Sequence, residues 1–346
     1  MMAEPGRNRS ELESTAAAMV APPKGILAID ETVPTCSKRF AEHGIESTED
    51  SRRAYREMLA LAPGAGKLIS AAILQDETIR QATSDGRPFP EALKASGMIP
   101  GIKVDLGTRP IGESPPETVT VGLDRLPERL AEYREMGARF SKWRAVIRIG
   151  PGLPSHDCVQ ANAEALGRYT IIAQETGLVP IVEPEVLMEG DHDIERCREI
   201  TESVLTSVFD ELRSRGCLLA GIVLKPNMVT AGSACPTGAD PSEVAELTLA
   251  VLRRCVPAGV TGIAFLSGGQ SGEEACANLN EMARRGFLPW QLSFSFGRAL
   301  QYPALQIWGG KESNVGPARS AFLHRARMSS LASAGEYSPE MEQAAV

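Results

Sequence analysis

The sequence predicts an α/β chain closed into a single-domain (β/α)8 barrel with N-terminal and C-terminal extensions. Three observations predict it. Eight short β-rich runs recur about 38 residues apart on average, which leaves room for one helix and two loops in each gap. Helical stripes with capping signals fall independently in those gaps. No Gly/Ser-rich linker interrupts the alternation, so the 346 residues read as one large unit rather than two. Eight units close most simply into a barrel, whereas an open doubly wound sheet more often carries about five to seven strands. On this reading 1–20 are an N-terminal lead, 21–310 the barrel that carries the chemistry, 311–335 a C-terminal helix and 336–346 a flexible tail.

Taken in order, the first run is Gly25–Asp30. Ser47 and Asp50 after it have capping-box spacing, ahead of Tyr55, Met58, Leu59 and Ala62 on one helical face, and Pro63-Gly64 stops that helix. The second, third and fourth runs are Lys67–Leu74, Met98–Asp105 and Arg139–Arg148, and the fifth is Leu178–Glu183. A stripe of Ile194, Cys197, Val204, Leu205, Val208 and Leu212 then ends near Gly216. The sixth run, Ala220–Lys225, precedes Asp240 as N-cap, Pro241 in the first turn, acidic Glu243, and the apolar Val244, Leu247 and Val251. Gly259–Ser267 is the seventh run, and Ser271 with Glu274 repeats the capping box before Leu279 and Met282, with Gly286 beyond. Trp290–Ser295 completes the set.

In a barrel of this kind functional groups collect at the C-terminal strand ends, and here those ends are polar. They carry Asp30-Glu31, Lys103 and Asp105, then Lys142, Arg144 and Arg148, then Glu183 and Glu185. Lys225 and Asn227 follow, then Ser267-Gly268-Gly269, and finally Ser295, Gly297 and Arg298. One charged strand end is usually a solvated loop residue; six that point toward one mouth are not. Lys142 shares a parity with Arg144, and Glu183 with Glu185, so each pair projects to one face of its strand. Adjacency of strands four, five and six sets Glu183 or Glu185 between Lys142 and Lys225. Such a row serves either as a structural ion-pair network or as an amine nucleophile with an acid/base beside it. Lysine amines attack carbonyls to give Schiff bases when desolvation or a cationic neighbour leaves them neutral. Lys225 is the candidate nucleophile, because apolar Ile222–Leu224 precede it and a proline follows. Gly268-Gly269 and Gly297-Arg298 offer bare amides and a guanidinium on the last two strands, the frequent phosphate site of the fold.

Composition sets the outer limits. With 43% hydrophobic and 23% charged residues the chain is not mostly disordered. Forty-four acidic against 36 basic side chains leave a net charge of −8, which points away from nucleic acid and from a polybasic membrane anchor. Lys103, Lys142, Arg144, Lys225 and Arg298 nevertheless gather basic charge at one rim. Seven scattered cysteines without a CxxC pair read as reduced thiols of a cytosolic protein. Four histidines lack metal-ligand spacing, and Asp191-His192-Asp193 reads as the acidic start of a helix rather than a ligand cluster. No metal and no cofactor are expected. No apolar run approaches a membrane span, and the first residues lack the order of a signal peptide. The expected compartment is the cytoplasm, or the plastid stroma had a transit peptide been removed.

Seven of the eight strand regions carry motifs that resemble class I fructose-bisphosphate aldolase. They are Gly25–Glu31, Gly101–Asp105, Lys142–Arg144, Val179–Glu185, Leu224–Val229, Phe265–Ser271 and Phe296–Gln301, in order within a match from about residue 20 to 337. The resemblance implies an aldehyde-lyase that cleaves fructose 1,6-bisphosphate reversibly to dihydroxyacetone phosphate and glyceraldehyde 3-phosphate. It makes Lys225 the Schiff-base lysine, Glu183 the general acid/base with Glu185 near it, Asp30 a carboxylate assisting carbon–carbon cleavage and Lys142 a charge that holds the intermediate. Ser267, Gly268, Gly269, Gly297 and Arg298 fall at one phosphate; Arg39, Thr35, Lys103 and Arg144 fall toward the other end of the sugar. The implied partner is the small-molecule sugar bisphosphate, and the implied assembly a homotetramer.

Some positions depart from the family pattern. Thr32–Thr35 replaces serines and small residues, Pro34 removes an amide near the second phosphate, Leu106 replaces a lysine and Gln75 an aromatic residue. The family's C-terminal tyrosine has no counterpart in Met341–Val346, and Tyr337 matches an earlier position. Slow proton exchange on bound dihydroxyacetone phosphate with sluggish cleavage is the expectation. Two other readings are a Schiff-base aldolase acting on a different sugar phosphate and a non-catalytic scaffold.

Overall fold

The computed structural model describes residues 5–112 and 117–343. Eight strands pair in parallel and in chain order. They are β1 Gly25–Ala28, β2 Ile69–Leu74, β3 Ile99–Lys103, β4 Phe140–Ile147, β5 Val179–Val186, β6 Val223–Leu224, β7 Gly262–Phe265 and β8 Gln291–Phe294. Seven lie inside their runs, and β5 continues three residues beyond Glu183, where the fifth run was expected to end. The seam between last and first strands is bridged where Ala28 N–H donates to the Phe296 carbonyl at 3.2 Å and Ser293 Oγ to the Lys24 carbonyl at 2.9 Å. Helices return between the strands on the outside, as parallel pairing requires.

One parity rule organises the interior. Ile26, Ala71, Phe140, Val179, Ile181, Val223 and Ala264 form an apolar cluster in the lower half of the barrel, separate from the larger core under the helices. Two residues further along the same strand faces the side chains become charged: Phe140 is followed by Lys142, Ile181 by Glu183, Val223 by Lys225 and Ala28 by Asp30. The barrel is thus apolar at its base and ionic at its C-terminal mouth. Ring and glycine alternate to fill the taper. A Cβ on Gly101 would lie 2.2 Å from the Phe140 ring, and one on Gly25 2.4 Å from the Phe294 ring. Gly101→Ala should therefore cost about 1–3 kcal/mol in urea unfolding through overpacking. The control is Gly259→Ala, whose nearest neighbour would be 3.9 Å away; equal losses from the two would contradict the packing account.

The lead is a plug. Helix Pro5–Met19 lies across the base, where Leu12, Ala16, Met19 and Val20 join the apolar cluster. This closes the N-terminal mouth and leaves the ionic one open. At the other terminus, helix Val315–Ser333 packs on helices Gly272–Arg284 and Arg298–Trp308. The segment expected to be a flexible tail docks instead over its described part. Tyr337 is buried, its N–H donates to Asn280 Oδ1 at 3.0 Å, and Glu342 pairs with His324 and Arg325. Of Met341–Val346, where no counterpart of the family's C-terminal tyrosine is expected, residues 344–346 lie outside the described residues.

Local signals hold with small shifts. Asp240 caps helix Pro241–Cys255 and Ser271 with Glu274 boxes helix Gly272–Arg284, while Asp193 caps helix Ile194–Ser214. The box expected at Ser47 and Asp50 forms one residue later, between Thr48 and Ser51, because Ser47 is engaged with Ser37 and Arg52. Thr32–Thr35 is not an open loop: it starts helix Val33–Ala41, with Pro34 in the first turn, where a missing N–H leaves nothing unsatisfied. Among the described residues no helix is long and apolar enough to cross a membrane.

Candidate active site

The ionic mouth holds a cavity of about 670 Å³. Every residue the sequence nominated lines it: Asp30, Thr35, Arg39, Lys103, Lys142, Arg144, Glu183, Glu185, Lys225, Ser267, Gly268, Gly269, Gly297 and Arg298. Residues from seven strands therefore meet in one space, which a string of solvated loop ends would not do.

At its floor four buried groups form a chain. Lys142 Nζ stands 2.6 Å from Asp30 Oδ2 and 2.9 Å from Glu183 Oε2, and Lys225 Nζ stands 3.0 Å from Glu183 Oε1. All four residues are less than a tenth exposed. Register produces this order: Val182 pairs with Leu224, so the next residues up, Glu183 and Lys225, adjoin. Glu183, not Glu185, is the carboxylate between the lysines; Glu185 forms an ion pair with Arg144. The Lys142–Glu183 contact is one of charge alone, since Glu183 Oε2 accepts no aligned hydrogen bond.

Burial by itself would raise the Asp30 carboxyl, but the charges of Lys142, Lys225 and Lys103 override it and hold the group at about 2. Glu183 likewise is pushed up by burial and pulled further down by Lys142, Lys225 and Arg144, ending below its ordinary value. Burial disfavours the Lys142 cation, yet Asp30 and Glu183 outweigh it and keep the ammonium charged. Two ionised carboxylates around one permanent cation are the resting state. Because both carboxylates are held below their unfolded values, their ionisation stabilises the fold at neutral pH. That contribution fades as acid takes the pH down through the folded values.

Unpaired basic charge is confined more narrowly than five basic strand ends suggest. Lys103 pairs with Asp105, Lys142 and Lys225 with carboxylates as above, Arg144 with Glu185 and Arg39 with Glu31. The cavity's two exposed cations are Arg298 and Lys38. Arg298 opens helix Arg298–Trp308 directly after Gly297. Facing it, Gly268 and Gly269 adopt left-handed φ of 58° and 110°, conformations that favour glycine. A Cβ on Gly269 would come 3.6 Å from Arg298 Nη2, so bare backbone fronts the guanidinium. Bare amides, a helix start and a guanidinium are what a phosphate needs.

Lys38, Glu31, Asp105 and Ser295 also line the cavity and were not among the nominated site residues. Ser295 Oγ is buried without a hydrogen-bond partner. Thr35, Lys38, Arg39 and Glu42 recur at helical spacing and all face the cavity, opposite buried Cys36 and Phe40. That stripe was the available signal for Lys38. Three polar or departing positions do other work. Asn227 braces the Val186 N–H at 3.1 Å and Thr201 at 3.1 Å; Arg148 is exposed beyond β4; Leu106 is 65% exposed and outside the cavity.

Comparison with known proteins agrees with this arrangement. The family model described as fructose-bisphosphate aldolase class-I, glycolytic, matches residues 11–346. A probable fructose-bisphosphate aldolase class 1 of Xanthomonas axonopodis pv. citri is 52% identical over 328 residues, 94% of this chain and 98% of that one. The cytosolic fructose-bisphosphate aldolase 5 of Arabidopsis thaliana is 51% identical over 338 residues, 97% of this chain and 94% of that one. In solved structures, the Plasmodium falciparum aldolase, crystallised with TRAP and a small-molecule inhibitor, superposes with a TM-score of 0.95 at 46% identity, covering 96% of this chain and 97% of that one. The chain belongs to the class I fructose-bisphosphate aldolase family.

Proposed function

We propose that the cavity cleaves fructose 1,6-bisphosphate through a Schiff base on Lys225, with Glu183 as the proton carrier and Asp30 as the base for carbon–carbon cleavage. The observation that carries this is Glu183 set between two buried lysines, 3.0 Å from Lys225 and 2.9 Å from Lys142. Lys225 gives its proton to Glu183 and attacks the C2 carbonyl of the open-chain sugar. Glu183 then returns a proton to the departing hydroxyl, so that water leaves and a protonated imine remains. Asp30, ionised and beside Lys142, takes the C4 hydroxyl proton. The C3–C4 bond breaks, its electron pair flows into the imine, and glyceraldehyde 3-phosphate departs. Protonation of the enamine at C3 and hydrolysis of the imine release dihydroxyacetone phosphate and restore the amine. Lys142, kept charged, offsets the negative charge that develops on the substrate oxygens.

Arg298, Gly268, Gly269, Gly297 and Ser267 hold one phosphate on this reading, and Arg39, Thr35, Lys103 and Arg144 serve the other end, joined by Lys38. The imine is the electron sink, so no metal enters any step. A coupled cleavage assay tests the assignment. The bisphosphate should be turned over with higher kcat/KM than fructose 1-phosphate, and a chelator should leave both rates unchanged. Loss of activity to the chelator would reject the metal-free route. The cytosolic names of relatives support a cytoplasmic enzyme, and family membership supports a homotetramer.

A further inference from the structure

We infer that Gln301 is a positioning residue for substrate phosphate recognition, acting through Glu31 on Arg39. Gln301 lies on the helix after β8, is 1% exposed, and reaches across the barrel seam to the end of β1. Its amide is fully committed. Oε1 accepts the Tyr55 hydroxyl at 3.0 Å, while Nε2 donates to the Ala28 carbonyl and, at 2.9 Å, to Glu31 Oε1. The same Glu31 oxygen pairs with Arg39 Nη1. The backbone of Glu31 is fixed separately: fully buried Arg56 donates from Nη2 to its carbonyl at 2.9 Å. Glu31 is thus held at both ends by groups that never reach the cavity.

This arrangement has one free product, the direction of the Arg39 guanidinium. Only Nη1 is spent on Glu31, and the other N–H groups of the planar fork remain for a ligand. Arg39 lines the main cavity together with Arg298. Two guanidiniums at one mouth repel, so an unanchored Arg39 would swing outward; the Glu31 carboxylate prevents it, and the Gln301 amide prevents that carboxylate from turning. Tyr55 fixes which way the amide points. It is itself wedged between Phe40 and Trp308, with ring centroids 5.5 Å away on each side. The relay therefore runs Tyr55, Gln301, Glu31, Arg39, from core to cavity.

The inference rests on the proposed role of Arg39 at the far end of the sugar, and its test separates the two. Gln301→Leu, Tyr55→Phe and Gln301→Leu in an Arg39→Met background are compared by steady-state kinetics on fructose 1,6-bisphosphate and fructose 1-phosphate. Gln301→Leu should raise KM for the bisphosphate about 5- to 10-fold while kcat/KM for the monophosphate falls less than about twofold. Tyr55→Phe, which keeps the ring packing, should shift the same ratio in the same direction by about 2- to 3-fold. In the Arg39→Met background Gln301→Leu should add less than about twofold, because both act on one group. Equal losses on both substrates, or full additivity with Arg39→Met, would overturn the relay. An Arg39→Met variant with no preference for losing the bisphosphate would instead overturn the assignment of Arg39.

Discussion

Lys225→Met should reduce bisphosphate cleavage by at least about 10⁴-fold, equivalent to a barrier increase of about 5.5 kcal/mol. The side chain is nearly isosteric and the site is 3% exposed, so the substitution removes the nucleophile without opening a cavity. It also leaves no orphan charge. Glu183 keeps Lys142 at 2.9 Å, and Lys142 keeps Asp30 at 2.6 Å. A variant that loses a buried partner altogether would unfold; this one should retain its thermal midpoint within a few degrees. The chemical counterpart is trapping. Borohydride reduction with dihydroxyacetone phosphate should place one adduct on the wild-type peptide containing Lys225, and none on the variant. Lys142 is the control built into the site, being equally buried but kept charged by two carboxylates. An adduct on Lys142, or residual turnover in Lys225→Met near the wild-type rate, would refute the assignment.

Much of this site is legible in the sequence. Alternation along Phe140–Arg144 and Val179–Glu185 put each functional side chain on an inward face, because strand parity needs no knowledge of neighbouring strands. Parity alone leaves the choice between Glu183 and Glu185 open, and only the family resemblance favours Glu183. Which carboxylate meets Lys225 depends on the register of β5 against β6, with Val182 opposite Leu224, and register between parallel strands is set by barrel shear rather than by either strand's own sequence. The helix Val33–Ala41 was hidden for a different reason. Proline and threonines near a strand end are turn-formers, and they mask a first helical turn in which proline is equally at home. Lys38 was lost with it. The lead was obscure because Leu12, Ala16 and Met19 are spaced for a helix face but say nothing of what that face covers. Its target, the apolar base of the barrel, exists only after eight distant segments have assembled. Segments whose partners are local were legible, and those whose partners are assembled by the fold were not.

Glu183→Gln should lower kcat by about 10²–10⁴-fold. The effect should fall on imine formation more than on carbon–carbon cleavage. The amide fills the same space but cannot carry a proton between Lys225 and the carbinolamine hydroxyl. Asp30, which serves the cleavage step, keeps its own partner in Lys142, so that step is spared. The variant therefore should form the trapped adduct slowly in a single-turnover experiment, yet release aldehyde from preformed imine at a rate close to that of the wild type. pH separates this from a general loss of structure. In the wild type, Glu183 titrates below its usual range and Asp30 at about 2, so acid from pH 7 to about 5 leaves both ionised. These two carboxylates should therefore contribute no change of stability in that window. Burial opposes both carboxylates, and the lysines, with Arg144 at Glu183, keep them charged; with Glu183 neutral, Lys225 has lost the partner 3.0 Å away. Glu183→Gln keeps the Lys225 side chain but loses the carboxylate that carries its proton, and a small external acid such as formate should restore part of the rate. No recovery with added acids of graded pKa, together with equal slowing of both steps, would show that Glu183 is a structural ion-pair partner and nothing more.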